Sequence, residues 1–256
     1  MREAGKPVLR LEAALDPLIP DHGKLMHLFV IDSATMTSFA HLHPSLVDSS
    51  TFSTELPPLP PGSYRLYGDV TFETGQTHTL VGFVRLTSAD SAAAAASGRG
   101  DPDDAWRVSG ATTRLEDGST MEWVADSTRL RAGKDVTLRF RVRAPNGAAA
   151  TLEPYLGMAA HAVIVKIDGS VFVHLHPAGT VSMAAQEVFA LRDRGDTTQT
   201  GHLRLPAESA MQQAMPVASE FSFPYVFPRG GTYRVWVQVR RAGRVLTGVF
   251  DCSLSS

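Results

Sequence analysis

The sequence predicts an all-β protein built from two tandem antiparallel β-sandwich domains, immunoglobulin-like or cupredoxin-like in layout. Three observations predict it. Short apolar runs alternate with a period of two between Pro and Gly turns, the pattern of half-buried strands. The strand signals occur as two similar series, each with a Gly-x-Tyr-Arg phrase, at Gly62 to Arg65 and Gly231 to Arg234. At 256 residues and 43% hydrophobic, the chain can bury one large core or two smaller ones.

In chain order, the first repeat spans 1–88. It offers a strand at Val8 to Glu12, a hairpin from Met26 to Pro44, and a strand from Gly62 to Val70 that returns through Thr74-Gly75 as Thr79 to Val84. Residues 89–110 are rich in Ala, Ser and Gly and are expected to be a flexible linker, with Trp106 and Val108 docking on one of the domains. The second repeat, 111–256, offers Asp135 to Val142, a hairpin from Ala160 to Pro177, and Gly231 to Val239 returning through Ala242-Gly243 as Val245 to Phe250. An insertion at 178–219 separates its hairpin from its last strands. The stretch from Met183 to Leu191 reads as a helix, and a second short helix is expected around Ala207 to Ala214. Both faces of the histidine hairpins are apolar, so these strands are expected to be covered on both sides, with the two repeats packing pseudo-symmetrically.

The two hairpins carry the chemistry. The first reads Met26-His27-Leu28-Phe29-Val30, a turn, then Phe39-Ala40-His41-Leu42-His43-Pro44; the second reads Ala160-His161-Ala162-Val163-Ile164-Val165, Asp168-Gly169, then Phe172-Val173-His174-Leu175-His176-Pro177. Six of the nine histidines fall in this pattern. Asp-Gly between β-branched runs is a two-residue turn signal. Placed at the tip, it pairs Ile167 with Ser170, Val165 with Phe172 and Val163 with His174, and sets His161 opposite His176. A turn centred on Thr35 does the same for His27 and His43. Residues two apart share a face, so His41 and His174 join their trios. Neutral imidazoles are borderline-soft donors, and three of them fill most of a four-coordinate shell. The expected metal ligands are His27, His41, His43, His161, His174 and His176, with Met183 as a thioether that leans over the second trio. Copper is the expected ion and zinc the alternative. The competing reading is a packing motif in which one copy or neither binds metal. His22, His78 and His202 fall in loops or at hairpin tips and are expected to be solvated.

Other classes are excluded or disfavoured. A net charge of −2 without a Lys/Arg block gives no electrostatic support for nucleic-acid binding. The single cysteine, Cys252, excludes an internal disulfide and a Cys-based zinc site, and it has no histidine nearby in sequence to form a blue-copper centre. No apolar run is long enough to cross a bilayer as a helix.

The phrases Gly23 to Val30 with Phe39 to Pro44, and Tyr155 to Val163 with Phe172 to Pro177, resemble a group of poorly characterised bacterial envelope proteins taken to bind metal. That resemblance covers the hairpins and their flanking strands. It implies a periplasmic or cell-envelope location with an export signal removed, whereas Met1 to Gly5 read as a native N-terminus implies the cytoplasm. Two function classes fit the residues: a module that stores, buffers or delivers metal, and a metalloenzyme with an open position on a three-histidine ion. Glu153, Glu187 and Asp193 are the acid–base candidates of the second class.

Overall fold

The computed structural model describes residues 8–10, 17–97, 100–124, 130–198, 202–205 and 217–255. Met211, Met215 and the helix expected around Ala207 to Ala214 lie outside them. The described chain is mostly antiparallel sheet with two helices, and it divides into two compact units. Unit 1 is Met1–Val108 with Ser182–Met211, and unit 2 is Ser109–Val181 with Gln212–Ser256.

Unit 1 contains β1 (Val8–Arg10), β2 (Leu18–Ile19), β3 (His27–Asp32), β4 (Ser38–Leu42), β5 (Ser45–Asp48), β6 (Thr51–Ser53), β7 (Gly62–Phe72), β8 (Thr77–Leu86), α1 (Ser88–Ser97) and β9 (Ala105–Val108). One sheet runs β2-β7-β3-β4-β9 with β8 on β7, and a smaller one runs β1-β6-β5. Unit 2 contains β10 (Thr120–Trp123), β11 (Asp135–Arg143), β12 (His161–Lys166), β13 (Phe172–Leu175), β14 (Glu220–Val226), β15 (Gly231–Arg241) and β16 (Arg244–Leu254). Its sheets are β10-β11-β14 and β13-β12-β15-β16. The order β4-β3-β7-β8 in unit 1 thus repeats β13-β12-β15-β16 in unit 2, and the internal repeat of the sequence is a repeat of sheets.

Alternation decides what each sheet buries. In unit 2, Leu138 and Phe140 of β11 and Phe223 of β14 share one cluster with Ile164 of β12 and Val235 and Val237 of β15, so the two sheets close on a common core. Each such buried side chain contributes about 2 kcal/mol relative to exposure. Unit 1 does the same with Leu28, Val30, Ala40, Leu42, Phe52 and Leu66. The histidines occupy the opposite face of the same strands. The Gly-x-Tyr-Arg phrase has a structural explanation: the Tyr64 hydroxyl donates to the Pro60 carbonyl and the Tyr233 hydroxyl to the Arg229 carbonyl, both at 2.7 Å. This tyrosine corner, a hallmark of immunoglobulin-like sandwiches, is present in each unit.

Three local expectations are corrected. The segment 89–110 is not a plain linker: Ser88–Ser97 is helical and Ala105–Val108 is an edge strand paired to β4. The helix has a reciprocal cap, in which Thr87 Oγ1 accepts from the Asp90 amide at 3.3 Å and Asp90 Oδ2 accepts from the Thr87 amide at 2.7 Å, ahead of an alanine run of high helix propensity. At the second hairpin, Gly169 alone is left-handed (φ 72°), so the loop is one residue pair longer than a two-residue turn and the ladder closes at Lys166 and Val171, while the register beyond it is as expected. The insertion does not stay in unit 2. Its helix α2 (Met183–Arg194) belongs to unit 1, where Ala184, Val188 and Leu191 pack on Ile19 and Leu203. Ser182 caps it, accepting from the Ala185 amide at 3.1 Å, and Gly195 (φ 73°) ends it.

Candidate metal centre

The first trio is assembled by register. β3 pairs with β4 so that Phe29 faces His41 and Leu28 faces Leu42, which sets His27 against His43. The ring centroids are 5.3 Å apart for His27–His41, 5.1 Å for His27–His43 and 4.6 Å for His41–His43. One ring nitrogen from each lies within 4.8 Å of the other two. All three side chains are buried, at 1%, 0% and 5% exposure for His27, His41 and His43. Charged imidazolium is penalised there. Burial first, then the rings of His43, His41 and His22, hold His27 well below the usual histidine range.

Hydrogen bonds fix which nitrogens point inward. His27 Nε2 donates to the Asp21 carbonyl at 3.1 Å, because a carbonyl can only accept, and its Nδ1 is then the lone-pair atom, 3.0 Å from His41 Nε2. His43 Nδ1 donates to Asp104 Oδ1 at 2.9 Å. Its Nε2 is buried and has no hydrogen-bond partner among the described residues. Outer nitrogens bonded to a carbonyl or a carboxylate, with lone pairs turned toward one point, form the arrangement that orients imidazole on a metal. Phe29 stacks on His41 at 4.3 Å and holds its plane. These three histidines can hold a metal ion.

Elements distant in sequence support this trio. β9 pairs with β4 so that Ala105 faces His41, which brings the preceding Asp104 to His43; Asp104 Oδ1 also accepts from the His43 amide at 2.8 Å. Asp21 holds the N-terminus of α2, its Oδ1 accepting from the Ala184 amide at 2.8 Å, and its carboxyl is raised by burial against the lowering effect of His22 and the helix amides. Asp69 on β7 faces His27 in register and accepts from Thr79 Oγ1 at 2.6 Å; burial pushes its carboxyl up to about 7.

The second trio repeats the ring arrangement of the first, but not the approach of one ring nitrogen from each residue to within 4.8 Å of the other two. His161–His174, His161–His176 and His174–His176 centroids are 5.5, 5.1 and 4.4 Å apart, with interplanar angles of 30°, 83° and 55° against 39°, 84° and 52° in the first. All three are buried. The repeat extends upstream: the turns Asp21 to Lys24 and Tyr155 to Met158 are both closed by a bridge and both have two left-handed central residues, His22-Gly23 and Leu156-Gly157. The copies differ in charge. Where unit 1 has Asp21, His22 and Asp69, unit 2 has Tyr155, Leu156 and Gln238, the last opposite His161 in register and bonded to Thr247. Tyr155 meets His161 edge-on at 5.1 Å.

Of the other candidates, Met183 is the first residue of α2 and belongs to unit 1, whereas the second trio lies in unit 2. Met26 is in the core of unit 1, on the face away from His27. His22 is beside the first trio, 6.2 Å from His27, and is shielded from solvent rather than solvated. His202 bonds to Glu73 Oε2 at 2.8 Å, and exposed His78 packs on Phe72. Glu153 is engaged by Arg240 and the Gly243 amide, and Glu187 by Arg194. Sequence reasoning missed Asp21, Asp69 and Asp104. Asp69 carried a signal, a lone carboxylate inside an apolar strand, while Asp21 and Asp104 act through tertiary pairings.

A family model described as a domain of unknown function (DUF8832) matches residues 3–87 and 112–255. The chain belongs to this family. The DUF8832 match contains both histidine hairpins, and Asp104 falls in the stretch between its two parts. No curated protein matches the sequence.

Proposed function

We propose that this DUF8832 protein is a metal-binding protein of the bacterial periplasm or envelope that stores, buffers or delivers a transition-metal ion on histidine trios. Copper is the preferred ion and zinc the next. The observation that carries this reading is the first trio's lone-pair geometry: three buried imidazoles, two with their outer nitrogens committed to Asp21 and Asp104, and a buried His43 Nε2 without a hydrogen-bond partner among the described residues. Leaving such a nitrogen unpaired costs about 1–3 kcal/mol, which ligation would recover. A nitrogen-only set suits copper and zinc, and copper stands highest in the divalent affinity order. Neutral His27 needs no deprotonation to ligate near pH 7. The envelope location rests on the sequence resemblance alone.

Elemental analysis and titration of the chelator-treated chain with copper and zinc test this. The wild type is expected to take up metal, H27A/H41A/H43A to lose the first site, and H174A/H176A to lose about half of a two-ion load. Metal content unchanged in the first variant overturns the assignment.

A further inference from the structure

Unit 1 also contains a cavity of about 240 Å³ beside the first trio, with Asp104 common to both. Leu42, Leu56, Pro57, Pro58 and Ala94 form an apolar wall, and Trp106 of β9, 42% exposed, stands at its edge. The rest of the lining is acidic: Glu55, Asp101 and Asp104. Two of these carboxylates are committed. Lys24 Nζ sits 2.7 Å from Asp101 Oδ1 and 3.2 Å from Asp103 Oδ2, and Asp104 is held by the His43 and Asp101 amides and the His43 ring. Glu55 is not: its Oε2 is buried and has no hydrogen-bond partner among the described residues. A buried acceptor oxygen on an ionisable group is costly unless a donor reaches it, and a cationic donor serves best.

We propose that this cavity binds a small organic cation, an ammonium head on the Glu55 carboxylate with an aromatic or aliphatic body against Leu42, Leu56 and Trp106. His43, Asp101 and Asp104 bring ligand atoms within 4.8 Å of one another, but Lys24 already holds Asp101 and the His43 amide and ring already hold Asp104, which argues against a bare metal ion. The surplus of carboxylates over the single Lys24 excludes an anion. An indole face at the edge suits a cation or an aromatic body. The cavity shares Asp104 with the surroundings of the first trio, and the inference is tested on metal-free protein.

Calorimetric titration with phenethylamine, and with phenethyl alcohol and phenylacetate as neutral and anionic counterparts, reads the claim directly. Saturable binding of the amine is expected, with the alcohol and the acid weaker by about tenfold or more. Glu55→Gln, isosteric and checked for folding by its urea midpoint, should weaken the amine by about tenfold and narrow its advantage over the alcohol. Trp106→Ala, at an exposed position, should weaken it by about threefold. Equal binding of the alcohol, undiminished binding in Glu55→Gln, displacement of the amine by zinc or calcium alone, or no saturable binding overturns the proposal.

Discussion

Replacing Asp104 by alanine tests whether the first trio is organised as a ligand set. Asp104 Oδ1 accepts from both the amide and Nδ1 of His43, at 2.8 and 2.9 Å, and Oδ2 accepts from the Asp101 amide at 3.0 Å. Asp104→Ala removes the acceptor of all three donors. With the His43 side chain 1% exposed, its Nδ1–H has no access to water in an unchanged fold. Each orphaned donor costs about 1–3 kcal/mol, and the more open loop at Asp101 lets water recover part of that, so the metal-free protein should lose about 2–4 kcal/mol. Metal affinity should fall by about 10–100-fold, since the outer partner that aims His43 Nε2 is gone. Asp104→Asn keeps an acceptor for Nδ1 and should lose less than about tenfold. Urea denaturation of the chelated protein reads the first quantity, and competition with a chromogenic chelator reads the second. An Asp104→Ala protein that binds copper and zinc within about threefold of wild type would refute the reasoning.

Three further outcomes are expected. Asp69 has its carboxyl raised to about 7 from 3.8, so the folded metal-free state takes up a proton and its contribution is lost as pH rises from 3.8 to about 7. Asp69→Asn should therefore approach wild type in urea at about pH 3.5 and exceed it at about pH 8, by on the order of 4 kcal/mol; a difference that is the same at both pH values contradicts this. His27 acts in the other direction, its depressed pKa removing stability as pH falls below 6.5, so the two groups offset each other over the range between about pH 4 and 6.5. Tyr233→Phe and Tyr64→Phe should each lower the free energy of unfolding by about 1 kcal/mol through loss of the corner hydrogen bond, read from urea midpoints. Ser182→Ala removes the cap of α2 and should cost about 1 kcal/mol, with a loss of helical circular dichroism in the same transition.

The histidine register was legible because period-two alternation leaves one choice of face, and because the turn centre at Thr35 could be read from the two apolar runs around it. The Ala242-Gly243 turn was equally legible, and both its residues are left-handed, as a two-residue hairpin requires. The repeated Gly-x-Tyr-Arg was visible as a pattern, but its meaning needed the backbone carbonyl four residues upstream. The helix at Ser88 was missed because a linker composition outweighed its cap, Thr87 with Asp90. Asp104 and Asp21 were illegible for a different reason. Asp104 reaches His43 through β9, an element remote in sequence, and the Asp21 carbonyl meets His27 six residues on while its side chain is held by the remote helix α2; no local period reports either arrangement.

The chain enters unit 1 a second time, at Ser182, in the midst of building unit 2. A gene fragment that stops at Val108 would thus encode every imidazole of the first trio and still lack the scaffold of Asp21, the residue whose carbonyl steers His27. Neither half is a portable module. The helix that completes the first copy is encoded inside the second, so no single cut in the gene separates the two.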